Sequence, residues 1–244
     1  MNKKNIIVGS ILVVVIAICT IVFLLFGKSI TDKGAIADTN TSTQTPRPSD
    51  AAEIKIIAFG DSLTAGFGVI QSEAYPAQLE VALRTQGYNI SVINSGVSGE
   101  TTRGNLERAN FIQNQNADII LLGIGGNDAL RSLPANETEK NMRATIDILE
   151  ASTEPPIILL LEMQAPLNAG IEYKRDFDAI YPKIAKEKGL ILIPFITTDI
   201  FTDQKNKLAD GIHYNAIGYK KVIDMQIIPA LREILKGPNA TPLE

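Results

Sequence analysis

The chain has 244 residues, 45% hydrophobic and 20% charged, a globular composition with room for one sizeable core. Its formal net charge is -4. Setting aside the five basic and three acidic residues of 1–50 leaves 18 basic and 24 acidic groups in 51–244, a balance that excludes a nucleic-acid surface. A single cysteine, Cys19, excludes an intramolecular disulfide, and a single histidine, His213, leaves few ligands for a metal centre.

In chain order, residues 6–26 (IIVGSILVVVIAICTIVFLLF) come first, 21 positions without a charge. As a helix this run would span about 31 Å, close to the ~30 Å hydrocarbon core of a bilayer. Lys3 and Lys4 precede it, and Lys28 and Lys33 follow. An uncleaved membrane anchor with the large domain outside is favoured over a cleaved secretory signal, whose apolar stretch is usually shorter. Lipidation at Cys19 comes last, because the cysteine sits deep in the run after Ile18. Residues 1–27 are thus an anchor or signal. Residues 28–52, rich in Thr, Ser and Pro, are a flexible linker. A catalytic domain is expected over 53–238 and a short tail over 239–244.

Within that domain strands and helices alternate. Apolar runs at 54–59 (IKIIAF), 117–128 (ADIILLGIGGND, ending in glycines), 155–164 (PPIILLLEMQ) and 190–195 (LILIPF), with the β-branched stretch 88–94, predict five strands. Helical spacing appears at 72–87, at 136–152 with Asn136 as a candidate N-cap, at 173–189 with a bend at Pro182, and at 215–237 with an interruption at Pro229. Strands without polar alternation, separated by helices, predict a doubly wound α/β domain: a five-stranded parallel sheet between two helical layers. Ligands of such folds bind beyond the carboxyl ends of the strands. FGDSL, NSGVSGE and GIGGND all fall at those ends.

These junctions carry chemistry. Ser62 follows the first strand, where backbone N–H groups at a helix start favour developing negative charge. Taken alone, GDS reads as a turn capped by Asp61 or Ser62. The nucleophile-elbow pattern G-x-S-x-G is absent, since Thr64 stands at its last position. A serine nucleophile needs a base, and His213 is the one histidine, with Asp210 three residues earlier in the loop LADGIHYN. Asn127 offers an uncharged amide donor to an oxyanion. Gly99 can present its N–H in the same way, and Ser98 is a weaker rival nucleophile.

Together these blocks resemble the GDSL, or SGNH, hydrolase family: Ser62 in FGDSLTAGFG, Gly99 in NSGVSGET, Asn127 in GIGGND, and His213 with Asp210 in DGIHYN. The flanks AYPAQLE, GGNDALR, IYPKIAKE and LIPF are similar to its bacterial thioesterase I, lysophospholipase L1 and arylesterase branch. The resemblance implies a flavodoxin-like three-layer sandwich with strand order 2-1-3-4-5. It also implies hydrolysis of esters or thioesters through an acyl-enzyme, without metal or cofactor. Ser62 would be the nucleophile, His213 the base and Asp210 its partner. Ser62, Gly99 and Asn127 would form the oxyanion hole. Tyr214 stands where that branch often has proline, and 161–170 matches its substrate loop only approximately.

The expected partners are a small acyl ester, thioester or lysophospholipid and, through the N-terminal segment, a membrane; no nucleic acid is expected, and the chain is read as a monomer. The expected location is membrane-anchored with the catalytic domain outside the cytoplasm, or secreted or periplasmic after cleavage. A polysaccharide O-acetyl esterase is the alternative on the same machinery. A metallophosphoesterase fits poorly with one histidine, and a tethered binding module has no use for this residue set.

Overall fold

The computed structural model describes residues 52–236. The anchor or signal, the linker up to residue 51 and the tail 239–244 lie outside the described residues. Among the described residues no helix is long and apolar enough to cross a membrane.

Five parallel strands form one sheet in the order β2-β1-β3-β4-β5: β1 (Ile54–Gly60), β2 (Ile90–Gly96), β3 (Ile119–Gly123), β4 (Ile157–Glu162) and β5 (Ile191–Pro194). Strand β3 is buried along its whole length because both neighbours and both helical layers cover it. Its IILLG sequence suits that position, since no residue needs to face water. Strands β2 and β5 lie at the edges and are only partly buried.

Helix α1 is a single turn, Ser62–Ala65, and α2 spans Tyr75–Thr85. Helix α3 (Thr102–Gln113) packs on β1 and on α5 (Ala135–Glu150), and the short α4 (Gly126–Leu130) precedes α5. Helices α6 (Ile171–Asp178) and α7 (Ile180–Lys188) complete that layer against β4 and β5, and α8 is a turn at Thr198–Phe201. On the other face, α2 packs against α9 (Ala216–Val222) and against the π-turn Ile223–Ile227 that leads into α10 (Ile228–Leu235).

The structure modifies the predicted elements at three places and adds a helix, α3, that the spacing does not predict. The stretch 173–189 is two helices rather than one bent helix, divided at Ala179. Pro182 lacks the N–H that would bond residue 178, and its ring crowds that carbonyl, so the break falls one turn upstream. Similarly, Pro229 is absorbed by the π-turn, where Ile228 N–H reaches back five residues to Ile223. Asn136 does not cap α5. The helix starts one residue earlier behind Pro134, and Glu139 pairs with Arg143 and Lys183 instead. Helix α3 carries no apolar stripe. Its buried positions are Thr102, Asn105, Ala109 and Ile112, at helical spacing but half polar.

Candidate active site

Strand β1 delivers Ser62 to the carboxyl edge of the sheet, next to the point where β1 lies between β2 and β3. Asp61 caps the turn: its Oδ1 accepts the Leu63 N–H at 3.0 Å. Ser62 is therefore the first residue of α1. The cap that ends the strand thus also places the Ser62 side chain at the cleft.

His213 arrives from the other end of the domain. Leu208 N–H bonds the His213 carbonyl at 2.9 Å, Lys207 and Tyr214 form an antiparallel bridge, and Asn215 caps α9 through two 3.0 Å bonds from Ile217 and Gly218. Tyr214 is fully buried and donates to the Phe195 carbonyl at 3.0 Å, anchoring the loop where the related branch often has proline. The imidazole Nδ1 lies 2.7 Å from Asp210 Oδ2, and Nε2 lies 2.8 Å from Ser62 Oγ. Phe67 covers the ring, with centroids 4.7 Å apart.

Asp210 sets the imidazole's proton. Partial burial pushes its pKa up, but the N–H groups of His213 and Ile212 and the imidazole itself outweigh this and hold it at about 2. An ionised carboxylate only accepts, so Nδ1 carries the hydrogen and Nε2 keeps a lone pair facing the serine hydroxyl.

Asn127 belongs to the first turn of α4 and lines the same cleft as Ser62 and His213. Tyr181 donates to the Ile124 carbonyl at 2.8 Å and steadies the glycine loop ahead of it. Gly99 is not among the cleft-lining residues. It lies in the turn after β2 at a φ of 81°, a conformation that favours glycine. Two links tie this turn to α4. Arg131 donates to the Gly99 carbonyl at 2.9 Å, and the buried Asp128 accepts Thr102 N–H at 2.8 Å and Thr102 Oγ1–H at 2.6 Å. Ser98 is exposed, and both nitrogens of the sole histidine are already committed elsewhere.

The cleft measures about 500 Å³, within the range of small-molecule sites. Its walls are largely apolar: Leu130, Met163, Leu167, Ile196, Phe201 and Ile212. Lys174 bonds Asp178 Oδ2 at 2.7 Å and the Ala165 carbonyl at 2.9 Å, fixing the wall that follows β4. These wall residues come from four separate segments of the chain, two of them in the short helices α4 and α8, and only the stretch 161–170 stands out in the sequence. Asp61, buried directly behind the serine, is a further member of the site whose proposed capping role hides its second oxygen.

The chain belongs to the GDSL-like lipase/acylhydrolase family, whose model matches residues 58–221 and so takes in Ser62, Gly99, Asn127, Asp210 and His213. It is 35% identical over 167 residues to thioesterase 1/protease 1/lysophospholipase L1 of Escherichia coli (strain K12), covering 68% of this chain and 77% of that protein. It is 32% identical over 166 residues to an arylesterase of Vibrio mimicus, covering 68% of this chain and 82% of that protein. Among solved structures, the psychrotrophic esterase EstA from Pseudoalteromonas sp., inhibited by monoethylphosphonate, superposes with a TM-score of 0.69 at 26% identity, covering 75% of this chain and 99% of the other. The chain is a carboxylic ester hydrolase.

Proposed function

We propose that the chain hydrolyses acyl esters through a covalent acyl-enzyme on Ser62, with His213 as base and then acid and Asp210 as its orienting partner. The observation that carries this is the unbroken line from Asp210 Oδ2 to His213 Nδ1 at 2.7 Å and from His213 Nε2 to Ser62 Oγ at 2.8 Å. As Ser62 Oγ bonds the acyl carbon, its proton passes to Nε2 and the carbonyl electron pair moves onto oxygen. The Ser62 N–H group and the Asn127 amino group, which both belong to cleft-lining residues, stabilise that oxyanion. Collapse expels the alcohol, which takes the proton from Nε2. Water then attacks the acyl-enzyme, gives a proton to His213, and Ser62 departs with it as the carboxylic acid is released.

The apolar cleft favours an acyl chain of several carbons over an acetyl group on a glycan, so the polysaccharide O-acetyl esterase reading ranks second. The segment plan, anchor or signal (1–27), linker (28–52), catalytic domain (53–238) and tail (239–244), supports an enzyme held outside the cytoplasm. Out there it would rarely meet acyl-coenzyme A, which favours oxygen esters and lysophospholipids over thioesters.

Two experiments test this. A fluorophosphonate probe should label Ser62, identified by peptide mapping; labelling elsewhere with Ser62 untouched would overturn the assignment. A series of acyl esters from acetyl to dodecanoyl, run beside acetylated xylan, tests the substrate. Each methylene buried in the cleft is worth about 0.8 kcal/mol, so kcat/KM should rise roughly fourfold per methylene until the cleft is filled. A maximum at acetyl, with rapid deacetylation of xylan, would reverse the ranking.

A further inference from the structure

The Asp61 carboxyl is 1% exposed and stands directly before the nucleophile, yet the proposed proton path does not use it. Its Oδ1 caps the α1 turn at Leu63. Its Oδ2 has a different neighbourhood. It lies 3.5 Å from Asn127 Nδ2 and against Gly126, where a Cβ would come within 2.8 Å of it. The chain thus leaves out a side chain at position 126 where the carboxylate sits.

The cap does not require a charge. An asparagine at position 61 would accept from Leu63 equally well. A buried carboxylate with few donors is instead unfavourable for the fold. Burial pushes the Asp61 pKa up to about 6; Leu63 N–H, His213 and Asn127 oppose the rise, and Asp128 adds to it.

What a charge supplies here is polarity toward Asn127. The two ends of a carboxamide are nearly the same size, and only the amino end can donate to an oxyanion. Beside a carboxylate the amide oxygen is repelled and the amino group attracted. Among the described residues the Asn127 side chain hydrogen-bonds to Asp61 alone. One N–H then faces Asp61 and the other is left for the cleft that Asn127 lines.

We propose that Asp61 is a positioning residue that fixes the orientation of the Asn127 carboxamide, turning its amino group rather than its carbonyl toward the oxyanion. This rests on the reading of Asn127 as an oxyanion donor.

The test compares Asp61→Asn, Asn127→Ala and the double variant in the full chain. Hydrolysis of a soluble butyrate ester is measured on the alkaline plateau of the rate, with thermal unfolding at pH 7.5 alongside. Asp61→Asn keeps the cap and places an amino group or a neutral oxygen beside Asn127. Its kcat should fall roughly 10–100-fold with KM within about twofold, because the lost interaction forms only in the transition state. Its melting temperature should not fall. The double variant should be no slower than Asn127→Ala alone. If Asp61→Asn unfolds, Asp61→Ser, which caps through its hydroxyl, takes its place with the same expected outcomes.

Wild-type kcat in Asp61→Asn, or losses that multiply in the double variant, would overturn the positioning role while leaving Asn127 in place. Wild-type kcat in Asn127→Ala would remove the oxyanion reading and the inference with it.

Discussion

Ser62 and His213 are 151 positions apart in the chain, yet the hydroxyl of one and the imidazole of the other meet at 2.8 Å. The sheet brings Ser62 to its carboxyl edge, and the clamped loop ahead of α9 brings His213 there. Replacing Ser62 with alanine should abolish ester hydrolysis with no change in unfolding temperature. His213→Ala should cost roughly 10³-fold or more in kcat. Steady-state turnover with circular dichroism melts checks both, and near-wild-type turnover in either variant would reject the proposed nucleophile and base.

The acid limb of the pH profile follows from the same pair. A protonated imidazole cannot accept the serine proton, so the rate should fall in acid. Asp210, held at about 2, stays ionised over that range and should add no second limb above pH 4. Asp210→Asn frees the imidazole to carry its hydrogen on Nε2 and should lower kcat by roughly 10²–10⁴-fold. A rate flat from pH 5 to 8, or an Asp210→Asn variant at wild-type kcat, would contradict this.

Asn127→Ala removes one proposed oxyanion donor from an apolar-walled cleft. Its kcat should drop by about 10²–10³-fold with little change in KM. A loss confined to KM would make Asn127 a binding group instead.

Asp61 predicts a stability effect of opposite sign to a simple cap. Its pKa is about 6 in the folded chain against 3.8 for a freely solvated aspartate, so between these pH values the folded state binds the proton more tightly. Stability from this group is therefore full below about pH 4, declines as pH rises to about 6, and stays low above. Charged groups and tyrosines around it are His213, Asp128, Tyr75, Tyr181 and Tyr219. The difference corresponds to about 3 kcal/mol as an order of magnitude. In urea unfolding, Asp61→Asn should be more stable than wild type at pH 7.5, and the gain should vanish near pH 4. Equal stabilities at pH 7.5 would show that the carboxylate is better solvated than its burial implies.

Much of this protein is legible residue by residue. Apolar runs such as IILLG, too short for a buried helix and followed by glycines, read as strands buried on both faces, and their alternation with helices allows few topologies besides a doubly wound sheet. Histidine arithmetic reduces the candidate base to one residue. Helix α3 is not legible in this way, because Thr102 and Asn105 occupy its core-facing positions. Thr102 is held by Asp128, which becomes its neighbour only on folding, and the Asn105 amino group by the nearby Glu100, while the buried Asn105 Oδ1 has no hydrogen-bond partner among the described residues.

The sequence by itself determined the alternation of strands and helices along the chain, which depends on local pattern and spacing, and, through its resemblance to a known family, the five candidate residues. Only the tertiary structure decided which of them touch. It joined Ser62, His213 and Asp210 in one hydrogen-bonded line, left Gly99 outside the cleft lining, and set Asp61 against Asn127 and Gly126. The reason is physical: spacing constrains neighbours within a few residues, whereas the ångström-scale meeting of distant loops is set by how the whole sheet and its two helical layers pack.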